Sequence, residues 1–209
     1  MHKYHKIEVL FKRDTEGTKR LIEGRFANPT IEFLANNTWQ FTEKIDGTNI
    51  RVHWDGHKVT FGGRTDNAQI PVRLVDKLNE IFSNNETEEL LEQKLGETEV
   101  TLYGEGYGAG IQKGGDYRSD VGFILFDVLI ADNWQPRESV ESIATAFGLE
   151  IVPIVLTGTI QDAVDFVKTR PMSTIGTAKM EGVVGRPLVE MRDRCNKRVI
   201  TKVKVCDFV

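Results

Sequence analysis

The stretch from residue 39 to residue 61 constrains the fold most, because it reads as consecutive short strands joined by tight turns. Segments 39–44 and 48–54 are rich in β-branched and aromatic residues, and Asp55-Gly56 can supply the positive φ angles of a two-residue hairpin turn into a strand at 58–61. Further strands are predicted at 99–103, 122–129, 151–156, 182–186 and 199–205. Helices intervene: Val72, Val75, Leu78, Asn79 and Phe82 have helical spacing after Pro71, 88–95 forms a second, and Val140, Ile143, Ala144 and Phe147 form a stripe closed by Gly148. Thr159 with Asp162 three residues on is a capping signal for a helix at 160–169. Strands and helices do not alternate strictly, so the expected class is α+β with antiparallel β-sheets and flanking helices, not a doubly wound parallel sheet.

Composition sets the outer bounds. With 40% hydrophobic and 28% charged residues among 209, the chain is an ordinary globular sequence, long enough to bury a core without staples. Repeats, low-complexity tracts and Pro/Gly/Ser linkers are absent from the sequence, so a single domain over 1–209 is expected, with no further domain after it. No apolar run approaches the ~18 residues of a membrane span. The basic opening Met1-His2-Lys3-Tyr4-His5-Lys6 leads into apolar residues interrupted by Glu8, not into a signal-peptide core. A cytoplasmic location and no membrane partner are expected. Cys195 and Cys206 fit neither a disulfide framework nor a C-x-x-C metal site, and two free thiols are expected.

The net charge of −4 announces no global attraction to polyanions, yet the charge is lopsided. From Arg186 to Lys204 seven bases (Arg186, Arg192, Arg194, Lys197, Arg198, Lys202, Lys204) face two acids, Glu190 and Asp193. A nucleic acid could bind along Arg186, Arg192, Arg194, Lys197 and Arg198; a solvated charged hairpin is the plain alternative.

Chemistry enters with Glu43-Lys44-Ile45-Asp46-Gly47-Thr48-Asn49, a lysine on the turn between two strands. Taken alone, K-x-D-G is expected by chance about once in twenty chains of this size. It is followed in order by Gly63-Arg64-Thr65, Leu102-Tyr103-Gly104-Glu105-Gly106, Phe123-Ile124-Leu125-Phe126-Asp127-Val128, Glu181-Gly182-Val183-Val184 and Lys202-Val203-Lys204. This ordered set resembles the motifs of the covalent nucleotidyltransferases: ATP-dependent DNA ligases, RNA ligases and mRNA capping enzymes. Within that superfamily, Lys44 with Gly47-Thr48-Asn49, and Gly104-Glu105 through Gly110-x-Gln112, look most like the phage and kinetoplastid RNA ligases that seal nicks in double-stranded RNA. Asp46 departs from that group, many of whose members carry histidine there, and leans toward DNA ligases.

The resemblance implies the ligase and capping-enzyme fold, similar to ATP-grasp, and an ATP-dependent RNA ligase working through a lysyl-AMP intermediate with Mg²⁺, or Mn²⁺ in its place. Lys44 would be the nucleophile. An amine attacking the α-phosphate must be neutral, whereas a free lysine of pKa ~10.4 is almost wholly charged near neutrality. Lys202, Lys204 and the cation would both disfavour an ammonium at Lys44 and neutralise charge developing on the phosphoryl oxygens. Their i, i+2 spacing puts the two lysines on one strand face.

Glu181 and Asp127 are the carboxylates expected at the metal, directly or through water. By resemblance Glu43 and Ile45 join the nucleotide-binding residues, Phe126 stacks on adenine unless it is core, and Glu105 binds ribose. Arg64 contacts the nucleotide or an RNA 5′-phosphate, and Asn49 holds metal-bound water during strand joining. The expected partners are RNA ends or a nicked duplex, with DNA as the alternative and a partner protein as a possible source of nick recognition. A minimal DNA ligase and a non-catalytic end-binding module are the rival readings.

Overall fold

A computed structural model describes residues 1–17, 21–112 and 114–208. Along the chain run strands β1 (Glu8–Val9), β2 (Phe11–Arg13) and β3 (Leu21–Phe26), helix α1 (Pro29–Phe33), strands β4 (Trp39–Glu43), β5 (Thr48–Trp54) and β6 (Val59–Gly62), and helices α2 (Val72–Phe82) and α3 (Asn85–Leu95). Then come β7 (Val100–Gly108), β8 (Val121–Ile130), β9 (Asn133–Trp134), α4 (Arg137–Ala146), β10 (Glu150–Ile151), β11 (Ile154–Gly158), α5 (Ile160–Lys168), β12 (Gly182–Pro187) and β13 (Thr201–Lys204). The class is α+β with mainly antiparallel sheets, as the non-alternating order of elements predicts; the pairs β1–β13 and β10–β8 are parallel. No helix among the described residues is long and apolar enough to cross a membrane.

The chain forms two compact units, one of Met1–His5 with Asp46–Val152 and one of Lys6–Ile45 with Pro153–Val209. In the first, β10, β8, β7, β5 and β6 lie in that order, with β9 paired on β8. One sheet face carries Ile50, Val52, Trp54, Val100, Leu102, Phe123, Leu125 and Val128, and it is covered by Leu74, Leu78 and Phe82 of α2, Leu91 of α3 and Val140 and Ala144 of α4. Full burial stabilises each such large apolar side chain by roughly 1.5–3 kcal/mol, which is why the i, i+4 and i+8 positions of α2 determine how it docks. Glycine at 106 is a packing requirement, since a Cβ there would lie 2.3 Å from the Leu74 side chain.

In the second unit the sheet order is β1, β13, β12, β4, β11, and β2 pairs with β3 in a separate ribbon. Trp39, Phe41, Val183 and Val203 line the core face, packed with Ile160, Ala163, Val164 and Val167 of α5. The Thr159 capping box is present: its hydroxyl accepts from the Asp162 N–H, and the Asp162 carboxylate accepts from the Thr159 N–H.

Three local expectations change. The β5–β6 reversal sits one residue later than Asp55-Gly56 implied, because the Asp55 carboxylate accepts from the N–H groups of His57 and Lys58, leaving Gly56, at φ 95°, in the first central position. The single strand predicted at 151–156 is two strands, β10 in the first unit and β11 in the second, interrupted at Val152-Pro153 because proline has no N–H for a ladder. Elements β1 to β3 and α1 were not anticipated; α1 starts at an Asn28 cap followed by Pro29 at its first turn.

Candidate active site

In the second unit, strand register brings the lysines together. Thr42 pairs with Val184 and Val184 with Lys202, while Gly182 pairs with Lys204 and accepts the Lys44 N–H at 2.9 Å. Side chains alternate along a strand, so Lys44, Lys202 and Lys204 share the sheet face opposite Trp39, Phe41, Val183 and Val203. Arg186 falls on the same face through its pairing with Gln40. Glu181, at the entrance to β12, bridges two of the lysines: Lys44 Nζ donates to Oε2 at 2.5 Å and Lys204 Nζ to Oε1 at 2.5 Å.

Burial would push the Glu181 carboxyl up, but the Lys44 and Lys204 ammonium groups outweigh it and hold it below the ordinary carboxylate value. Burial disfavours the Lys204 ammonium, and the Glu181 contact overcomes that to raise its pKa. The Glu181 pairing therefore stabilises the fold above the unfolded carboxylate pKa and is lost only as pH falls through the depressed folded value.

Glu43 faces the other way, and Ile45 follows Lys44 beyond the end of β4. Both are buried, and the Glu43 carboxylate, on the face of Trp39 and Phe41, accepts from Ser173 Oγ, from Thr174 N–H at 3.0 Å and from Thr174 Oγ1 at 2.6 Å. Glu43 and Ile45 were both expected among the nucleotide-binding residues, and in this structure the Glu43 carboxylate is occupied by Ser173 and Thr174. Ser173 and Thr174 were missed by sequence reasoning, since a polar pair in a loop carries no signal by itself.

In the first unit, Asn49 pairs with Glu105 and Glu105 with Ile124, so Asn49 and Glu105 are cross-strand neighbours on the sheet face away from the helices. Asn49 Oδ1 is buried without a hydrogen-bond partner. Such an orphaned oxygen is rare in folded proteins and marks a place where a water, ion or ligand completes the bonding. Gly47 lies where a Cβ would come within 2.3 Å of the Gly106 carbonyl oxygen, so the turn after Lys44 accepts no side chain there. The Asp46 N–H donates to the Tyr117 hydroxyl at 3.3 Å, another contact that no motif announced. Arg64 is exposed on the loop after β6.

A register shift between Tyr103 and Gly104 places an extra residue, Phe126, in β8. The shift moves Asp127 off the helix-covered face, where Leu125 and Val128 pack, and leaves Phe126 half-buried outside that core cluster. Tyr4 packs its ring edge-on against Phe126 at 5.1 Å and donates its hydroxyl to Asp127 Oδ2 at 2.8 Å. Asp127 is 0% exposed. Expected at the metal together with Glu181, directly or through water, it accepts here from the Tyr4 hydroxyl and the Val128 N–H, because the bulge turns it under the N-terminal segment.

Among the described residues no three His, Cys, Asp or Glu side chains converge on a point where a metal could bind. A magnesium-like ion would then rest on few protein oxygens, which is its habit when phosphates and waters supply the rest. Glu181 in the second unit and the orphaned Asn49 Oδ1 in the first are each, within their own unit, a hard oxygen donor suited to a divalent cation or to a water.

The basic stretch divides. Arg198 is bound by both oxygens of Glu190, at 2.5 and 2.8 Å, and its side chain is 3% exposed, so it is a structural ion pair and not an available phosphate contact. Arg192 donates to Asn196 Oδ1 at 3.2 Å on an exposed hairpin that also carries Arg194 and Lys197.

The RNA ligase family model matches residues 37–204. The chain belongs to the RNA ligase family. Every motif residue from Glu43 to Lys204 lies inside that match. Among solved structures, a mutant of the Naegleria gruberi RNA ligase with ATP and Mn superposes with TM-score 0.65 at 19% identity, over 95% of this chain and 58% of that one. An apo mutant of the same ligase gives 0.66 at 18% identity, covering 97% and 60%. Its complex with PPi gives 0.65 at 18%, covering 95% and 59%. These likenesses establish the shared fold, and this chain spans less than two thirds of the length of those ligases. No curated protein matches.

Proposed function

We propose that this member of the RNA ligase family is an ATP-dependent RNA ligase of the type that seals nicks in double-stranded RNA, acting through a lysyl-AMP intermediate. Lys44 Nζ attacks the α-phosphorus of ATP, a P–N bond forms, and the bond to pyrophosphate breaks. The AMP then passes to an RNA 5′-phosphate, whose oxygen displaces Lys44. A 3′-OH finally attacks that activated phosphate, forming the phosphodiester and releasing AMP. The observation that carries the reading is the grouping of Lys44, Lys202, Lys204 and Glu181 on one end of one sheet. Phosphoryl transfer asks mainly for positioning and charge stabilisation, and this group supplies both.

Before it attacks, Lys44 must exchange its Glu181 partner and lose a proton, while Lys202 and Lys204 neutralise charge on the phosphoryl oxygens. Glu181 would hold a divalent cation, and Asn49 would hold a metal-bound water during joining; when bound, a cation neutralises phosphate charge. Structures of the Naegleria gruberi ligase with ATP and Mn support this choice of nucleotide and metal. The direct test is incubation with α-labelled ATP or GTP followed by a denaturing gel. A label from ATP that stays on the protein is the expected result, and none, or one from GTP alone, overturns it. Asp46 favours nicked DNA as a second substrate, and equal sealing of nicked DNA and RNA would decide for it.

Asn49→Ala should separate the steps. Its unpaired oxygen is not needed to make Lys44 nucleophilic, so lysyl-AMP formation survives better than closure of a pre-adenylylated nick. Equal losses in the two assays would refute the role in joining.

Sealing should also depend on salt far more than adenylylation does. With Arg198 bound by both oxygens of Glu190, the phosphate contacts proposed are four: Arg186, Arg192, Arg194 and Lys197. At roughly 0.9 log unit per contact for each decade of salt, binding weakens by about 150-fold between about 50 and about 200 mM monovalent salt. Paired titrations of Lys44 labelling and of sealing at subsaturating nick check this, and parallel curves would remove the basic stretch from the nucleic-acid surface.

A further inference from the structure

We infer that Glu43, Ser173 and Thr174 form a positioning clamp for Glu181, so that the residue before the lysine acts through a loop and not on the nucleotide. The inference rests on the ligase reading. Glu43 is 2% exposed, and its carboxylate accepts three hydrogen bonds, from Ser173 Oγ, Thr174 N–H and Thr174 Oγ1. No cation pairs with it among the described residues. A buried charge without a counter-ion is costly, and several short charge-assisted hydrogen bonds are what keep it in place.

What the clamp holds is a short loop that ends at Glu181. Ser173 N–H donates to the Ala178 carbonyl, Met180 N–H to the Pro171 carbonyl, and Met172 bridges Lys179 antiparallel, which closes 171–180 on itself. Met180 buries its side chain in the core and anchors the base of the loop, while Glu43 takes the other end. Glu181, the next residue, carries both lysine contacts. Strand alternation makes the device possible: Glu43 points to the core side and Lys44 to the opposite side, so adjacent residues hold the loop and the nucleophile. The backbone between them is locked as well, with Glu43 N–H on the Pro153 carbonyl and Lys44 N–H on the Gly182 carbonyl, each at 2.9 Å.

The test combines lysyl-AMP kinetics with amide hydrogen exchange on the whole chain. Glu43→Gln and Thr174→Val each keep the side-chain volume and remove acceptor or donor capacity. Each is expected to slow labelling at saturating ATP on the order of 10- to 100-fold, the scale of a small misplacement of a reacting group, with the KM for ATP little changed. Thr174→Ser, which keeps the hydroxyl, should restore most of the rate. The Glu43→Gln, Thr174→Val double variant should be no slower than the worse single one, because both break one unit. A raised KM, an altered preference for ATP over GTP, or losses that multiply in the double variant would overturn the inference and return Glu43 to direct nucleotide contact. Exchange at the Thr174 and Ile175 amides should quicken in both single variants whether or not the parent forms lysyl-AMP. A silent parent with faster exchange in the variants therefore sinks the ligase reading and not the clamp, and unchanged exchange sinks the clamp.

Discussion

Lys44→Ala should abolish covalent labelling by α-labelled ATP, and Lys44→Arg should do the same. The two substitutions test different properties. Alanine removes the nitrogen; arginine keeps a cation that can still reach the Glu181 carboxylate, now at 2.5 Å from Lys44 Nζ. A guanidinium is always charged and offers no nucleophilic lone pair, so electrostatic mimicry cannot rescue the reaction. If Lys44→Arg kept the label, the covalent attachment would lie elsewhere, and the grouping of Lys202, Lys204 and Glu181 around Lys44 would be a structural ion network. Mapping the labelled peptide in the parent chain decides the same point from the other side.

The second large effect is expected at Glu181 and Lys202. Glu181→Ala and Lys202→Ala should each slow adenylylation by at least ~100-fold, the scale for removing one preorganised electrostatic contact. Glu181 is the more informative position, because one carboxylate balances two ammonium groups. Glu181→Gln keeps its shape and drops its charge, and should lose nearly as much as alanine: a neutral amide neither balances Lys44 and Lys204 nor holds a divalent cation. Thermal melting must show these variants folded at the assay temperature. Near-normal rates at saturating ATP and Mg²⁺ in any of them would reduce that residue to surface charge.

Much of the site could be read along the chain because its parts are local. Lys44 with Gly47 and Asn49, Glu181 with Gly182, and Lys202 with Lys204 are each a few consecutive residues, and strand periodicity alone puts Lys202 and Lys204 on one face. The same locality made the strands around Trp39–Glu43 and Thr48–Trp54 and the helices at Val72–Phe82 and Ile160–Lys168 legible, since their apolar periods are strong. The first 36 residues were not legible: β1 and β2 are two and three residues long, too short to show a period. Their pairing is set by contacts with β13 and β3.

The sequence alone determined the α+β class, the order of the motifs and which residue types could carry nucleotidyl transfer, because those depend on neighbours within a few positions. Only the tertiary structure decided which like residues do different things. Asp127 and Glu181 were both expected at the metal, and they meet different neighbours: a bulge at Phe126 sets Asp127 against the Tyr4 hydroxyl, while Glu181 meets two lysines. Arg194 and Arg198 both looked available to phosphate, yet Glu190 holds Arg198. Glu43 gave no hint of Ser173 and Thr174, which lie 130 and 131 residues away. A charge takes its role from the groups it faces, and those partners are brought together across the chain by packing that no local pattern records.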